Sequence, residues 1–247
     1  MSLSLTRLAE QLSDSFAVHL PDRRGRGISG PAGPEDGLGK DVEDLDAVLR
    51  ETNAHFVFGL SAGAIIALQG ALRIREITRV ALFEPPLSFD GYPPLSWVPS
   101  YERELSRGDL GGALATIMKG TLAEEMRAPH FVLAWMMSRT LRRADERARQ
   151  LGVQPFTEMV PAMRRDIRIV QDSSGLLDML GAASCEVFLL GGEKSARYLR
   201  ATLDRLSTVM PKARRVTIPG VGHGAATNGG KPELVAAELR GFFHGSS

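Results

Sequence analysis

Apolar residues in this chain fall into two alternating rhythms. Leu5, Leu8 and Leu12 recur at helical spacing and predict an amphipathic helix at the start. Ser13-Asp14-Ser15 breaks that pattern, and FAVHL (Phe16 to Leu20) reads as a short buried strand ended by Pro21. A Gly-, Arg- and Pro-rich loop runs to about Gly39, after which Val42, Leu45, Val48 and Leu49 mark a second amphipathic helix. HFVFGL (His55 to Leu60) predicts the next strand, with a helix through about Leu72, and RVALFE (Arg79 to Glu84) a third, stopped by Pro85-Pro86. Strand texture then disappears for almost a hundred residues and resumes in EVFLLGG. ARYLRATLDRL predicts a helix, ARRVTIP a fifth strand and PELVAAELRGFF a last helix.

Strands alternating with helices imply an α/β fold: a mostly parallel sheet covered by helices on both faces. The expected core is residues 1–86 and 185–247. Residues 87–184, with the helical runs HFVLAWMMSRTLRRADERARQL and FTEMVPAMRRDIRIV, form an expected helical cap or lid inserted after the third strand.

Composition narrows the field. At 247 residues, 43% hydrophobic, 24% charged and formal net charge +1, the chain gives no reason to expect nucleic acid or an anionic membrane as partner. Its arginine pairs, Arg142-Arg143 among them, are dispersed without aromatic interleaving and read as solvated faces. A single cysteine, Cys185, excludes an intramolecular disulfide and fits a reducing cytoplasm; opening an apolar run, it reads as a packed core residue. No run is long enough to span a membrane, and the first residues do not read as a signal peptide.

The candidate chemistry starts at Gly59-Leu60-Ser61-Ala62-Gly63, between the FVF strand and an alanine-rich helix. A sharp strand-to-helix turn exposes a serine oxygen at the carboxyl edge of a sheet, and crowding of the backbone there requires small residues. Ser61 is therefore the candidate nucleophile, and the Ala62 N–H at the helix start a candidate oxyanion donor. Of five histidines, His19 lies in a predicted strand and reads as a buried, hydrogen-bonded residue; His55 opens the nucleophile strand at the wrong end; His130 starts a helix of the insertion; His244 is in the tail. His223, in the glycine-rich IPGVGHG after the last strand, comes to the same edge as Ser61 and is the candidate base. Two carboxylates emerge at that edge and could orient it: Glu84 after the third strand and Glu193 after the fourth. Glu84 could alternatively cap nearby backbone N–H groups.

PDRRGRGIS, GLSAG, LFEPP, LLGGEKS and PGVGHG, in this order around a helical insertion, resemble the α/β-hydrolase fold over essentially the whole chain. The resemblance implies a capped serine hydrolase acting on an ester, thioester or related acyl bond, without metal or organic cofactor. The family's usual acid position falls on Ser195, which cannot serve. A variant of the family places the acid after the strand that follows the nucleophile helix, which favours Glu84 and keeps Glu193 in reserve. Asp22 and Arg23 belong to a bracing loop with no catalytic role. Serine at position 61 also sets the chain apart from the similar dehalogenases and epoxide hydrolases, which use aspartate. Phe131, Trp135, Met136, Met137 and Met163 suggest an apolar acyl group or else form the cap's own core.

The resemblance also implies further strands and a His-Gly-rich loop ahead of this chain's first helix, with one strand between FAVHL and HFVFGL. Incompleteness is the expectation; otherwise residues Ser2 to Ser4 would have to supply the second oxyanion donor. The rival functional classes are a non-catalytic binding protein of the same fold and a cofactor-free perhydrolase. The implied partner is a small-molecule substrate, with no nucleic acid and no membrane; oligomeric state is not legible.

Overall fold

A computed structural model describes residues 2–33, 36–91, 95–121, 128–150 and 155–245. Residues 92–94, 122–127 and 151–154 of the expected helical block thus lie outside the described residues. The chain divides into two compact units: Met1–Phe89 with Arg168–Ser247, and Asp90–Ile167. The second is shorter than the insertion expected at 87–184.

The first unit holds a four-stranded, all-parallel sheet in the order β1-β2-β3-β4: β1 Phe56–Leu60, β2 Arg79–Phe83, β3 Glu186–Gly192 and β4 Arg214–Ile218. Register aligns Phe58 with Ala81, Ala81 with Phe188, and Leu190 with Val216. The two inner strands are buried along almost their whole length, Val80 to Phe83 and Val187 to Gly192, because helices cover both faces. A short 3₁₀ turn, Ser2–Leu5, leads into helix α1, Thr6–Leu12; α2 is Leu38–Thr52 and α3 Ala62–Ala71. The later helices of this unit are α8, Arg197–Val209, and α9, Pro232–His244. The leucine spacing at the start has its expected result: Leu8 and Leu12 pack with Val235, Leu239 and Phe242 of α9 and with Phe188 of the sheet. β4 closes one side with Arg214 and Arg215 exposed; charged side chains on an edge strand discourage pairing with another chain.

One expected strand is absent. Residues 16–20 adopt no strand, and β1 therefore ends the sheet among the described residues. A strand exists only by exchanging hydrogen bonds with a neighbour, so FAVHL without an adjacent ladder forms none. Phe16 still finds apolar company, edge-on to Phe56 at 6.4 Å and to Phe243 at 6.1 Å. His19, expected buried, is exposed for the same reason.

The second unit is helical: α4 Val98–Ser106, α5 Leu110–Thr121, α6 His130–Gln150 and the first turns of α7, Phe156–Asp172. Tyr101, Ala113, Leu141, Val160 and Ile167 form its core, with Met163 packed against it. The buried Tyr101 hydroxyl donates to Val160 O at 2.7 Å, and burial pushes that phenol up to about 12. Phe131, Trp135 and Met136 lie outside this core and are exposed; Met137 is half-buried. No helix among the described residues is long and apolar enough to cross a membrane.

Candidate active site

The turn after β1 is built by crowding. Ser61 takes φ 57°, ψ −125°, a backbone conformation rare outside glycine and strained by roughly 1–3 kcal/mol. The surroundings over-determine it: Ser61 N–H donates to Phe83 O at 2.9 Å, and Ser61 O accepts from the N–H groups of Ala64 and Ile65. The two motif glycines are not equivalent. A Cβ on Gly59 would lie 2.4 Å from Gly63 O and 2.7 Å from Ala64 N, whereas one on Gly63 would meet nothing within 4 Å. Only Gly59 is required by the close passage of strand and helix. Ala62 is the first residue of α3, where backbone N–H groups have no partner within the helix.

Glu84 follows β2 at the same edge, also at positive φ, 49°. It is 0% exposed, yet both carboxylate oxygens are engaged. Oε1 accepts the Gly192 N–H at 2.6 Å, and Oε2 lies 2.6 Å from His223 Nδ1. A buried carboxylate is tolerated only with such partners. Its N–H donates to Leu190 O at 3.1 Å, which anchors the residue to β3. Gly191 and Gly192 make room: a Cβ on Gly191 would sit 3.0 Å from Glu84 Oε1, and one on Gly192 2.5 Å from Val221 O. The Tyr198 phenol on α8 is pushed up to about 12, by burial first and by the Glu84 charge second.

His223 reaches Glu84 from the loop after β4. Gly220 turns at φ 70°, Lys194 N–H donates to Val221 O at 2.8 Å, and Glu193 Oε2 accepts the Gly220 N–H at 2.8 Å. Glu193 thus braces this loop from an exposed position, and the carboxylate against the imidazole belongs to Glu84. Ser195, at the family's usual acid position, is buried, and its hydroxyl has no hydrogen-bond partner among the described residues.

His55, His130 and His244 are committed elsewhere. His55 Nδ1 lies 2.9 Å from Glu76 O, and His130 Nε2 lies 3.0 Å from Thr116 Oγ1 and 3.1 Å from Glu104 Oε1. His244 packs on Phe16. The D-x-R-G-x-G-x-S loop holds itself together through Ser29 Oγ to Asp22 O and Gly25 N–H to Gly30 O, and a two-pronged Arg24–Asp44 pair ties it to α2. Ser4 O of the amino-terminal turn accepts the Asn228 N–H, which ties that turn to the segment after His223. Sequence reading missed the Gly192 N–H and the positive φ of Glu84. Gly191-Gly192 was their one visible signal.

Cys185, half-buried with its thiol pushed up by burial, lines a groove of about 710 Å³ with Glu186, Lys212 and Arg214. That groove lies at the amino edge of the strands, away from Ser61. No cluster of three or more potential metal ligands occurs among the described residues.

A parallel α/β sheet with a strained serine turn and a carboxylate–histidine pair at its carboxyl edge defines a hydrolase-type architecture. The sequence profile described as the alpha/beta hydrolase family matches residues 2–238, and the chain belongs to that family, a hydrolase by class. An alpha/beta hydrolase from Sphaerobacter thermophilus DSM 20745 is 30% identical with TM-score 0.72, the match covering 96% of this chain and 86% of that one. A thermophilic esterase from Thermogutta terrifontis is 21% identical, TM-score 0.68, over 98% and 85% of the two chains. The enol-lactonase from Burkholderia xenovorans LB400 is 20% identical, TM-score 0.67, over 98% and 88%. The latter two show likeness of fold alone. No curated protein sequence matches the chain.

Proposed function

We propose that this chain is a serine hydrolase that cleaves an ester, thioester or related acyl bond of a small, apolar substrate through an acyl-enzyme. The observation that carries the reading is the 2.6 Å contact of His223 Nδ1 with the buried Glu84, at the sheet edge where Ser61 is held in a strained turn. In this reading the Glu84 carboxylate holds the proton on Nδ1, leaving Nε2 as the base. Ser61 Oγ attacks the acyl carbon as Nε2 takes its proton. The Ala62 N–H stabilises the tetrahedral oxyanion, and the imidazolium protonates the leaving group. Water, deprotonated by His223, then attacks the acyl carbon and releases the acid and Ser61. Residues 90–167 are read as the cap. An esterase, an enol-lactonase and a thioesterase domain among the similar structures support an acyl bond as the target class.

Intact-mass spectrometry before and after treatment with a fluorophosphonate tests this. The expected result is a single adduct mapping to Ser61 and lost in His223→Ala, with turnover of a p-nitrophenyl ester reduced by roughly 10⁴-fold or more in that variant. Absence of an adduct on correctly folded protein would overturn the reading.

A further inference from the structure

Phe131, Trp135, Arg139 and Arg142 follow one another at intervals of four, four and three along α6, so they form a single stripe. All four are exposed, Phe131 by 74% and Trp135 by 61%, and Met136 beside them by 46%. The first eight residues of α6 carry no arginine, lysine or acid. The remaining turns hold Arg139, Arg142, Arg143, Arg147 and Arg149, all exposed, against Asp145 and Glu146. Asp145 is buried and bonded to Thr157, which leaves Glu146 as the one exposed acid on the helix. None of the five arginines forms an ion pair among the described residues, and Arg139 lies over the Trp135 ring at 5.0 Å. The near-neutral charge of the whole chain hides this local excess. Its aromatic company is invisible along the sequence because Phe131 and Trp135 join the arginines on one face only at the helical period.

We propose that the outer face of α6 docks on an anionic lipid bilayer. The stripe is apolar at its amino end and cationic beyond, and a bilayer offers that same order: acyl chains beneath anionic headgroups. Arginine and tryptophan both pair an apolar body with a polar tip, as the boundary demands. Docking would give an acyl hydrolase access to substrates dissolved in the bilayer, but the binding itself does not depend on Ser61.

Sedimentation of the full chain with phosphatidylcholine vesicles, with and without phosphatidylglycerol, tests the proposal alongside tryptophan emission. The expected results are partition onto the phosphatidylglycerol vesicles with a blue shift, weakened by salt and unchanged in Ser61→Ala. Arg142→Glu with Arg143→Glu should lower partition about tenfold or more, and Phe131→Ser with Trp135→Ser should abolish it, circular dichroism confirming that each pair folds. The salt and lipid dependence of the unaltered chain decides the matter even if the aromatic pair fails to fold. No partition, equal partition onto neutral vesicles, or a blue shift that follows protein concentration or an added oligonucleotide instead would each overturn it.

Discussion

Glu84 and Arg142 are both charged residues, treated in opposite ways. At the carboxyl edge of the sheet, Glu84 is fully buried with both oxygens bonded and its backbone held at positive φ. On α6, Arg142 and its neighbouring arginines are exposed and form no ion pair among the described residues, on the same helix as the exposed Phe131 and Trp135. The first arrangement is costly to assemble and is stable only because every group is satisfied, which suits a pre-organised reaction centre. The second costs the folded chain little and leaves its interactions for something outside the molecule. Under the two proposals, chemistry and recognition would occupy different units of one chain.

The sharpest way to break this comparison is at the two candidate acids. Glu84→Gln should lower ester turnover by roughly 10³–10⁴-fold, by failing to hold the His223 tautomer. It should also destabilise the protein by about 1–3 kcal/mol, since a buried amide presents a donor where Gly192 or His223 already donates. Glu193→Gln, at an exposed loop contact, should cost no more than a few-fold in turnover and about 1 kcal/mol or less. Steady-state kinetics and urea unfolding check both. Equal losses would mean that burial does not separate reaction centre from brace.

The next contrast lies within the serine turn. Gly59→Ala should destabilise by about 1–3 kcal/mol or leave the protein insoluble, since its Cβ would overlap backbone atoms that cannot move aside. Gly63→Ala should fold with a thermal midpoint within a few degrees of the original. Differential scanning calorimetry separates the two; a stable Gly59→Ala would mean that the strand and helix leave room for a methyl group at position 59.

The smallest expected effect compares the units through pH. Tyr198 in the sheet unit and Tyr101 in the helical unit both have phenols raised to about 12 in the folded protein, against about 10 when unfolded. The unfolded chain then releases these protons first, so their contribution is fully present below pH about 10 and is lost as pH rises toward about 12. Each loss should amount to at most about 2–3 kcal/mol. Urea midpoints at pH 9 and 11.5 should converge partly in Tyr198→Phe and partly in Tyr101→Phe. A slope altered by only one of the variants would show that only one unit buries its phenol as described.

Much of this was legible beforehand. Short apolar runs broken by Gly and Pro located the four strands that form, most plainly the two inner ones, because a strand buried on both faces must be apolar throughout; Leu5, Leu8 and Leu12 located a helix that packs as its spacing implies. FAVHL misled because alternation records a preference for burial but cannot supply a neighbour. Ser61 and His223 were legible through their glycines, which mark places where the backbone must turn or pass closely.

By itself the sequence determined the order of the elements, the parallel sheet and the candidate nucleophile and base, since each depends on local spacing and backbone sterics. The tertiary structure alone decided that Glu84 meets His223 while Glu193 braces the loop, since two carboxylates at one sheet edge differ only in which neighbours fold against them. It likewise decided that Phe131 and Trp135 lie outside the core of their unit. An apolar residue carries no mark of whether a partner will cover it, and burial is a property of the packed chain.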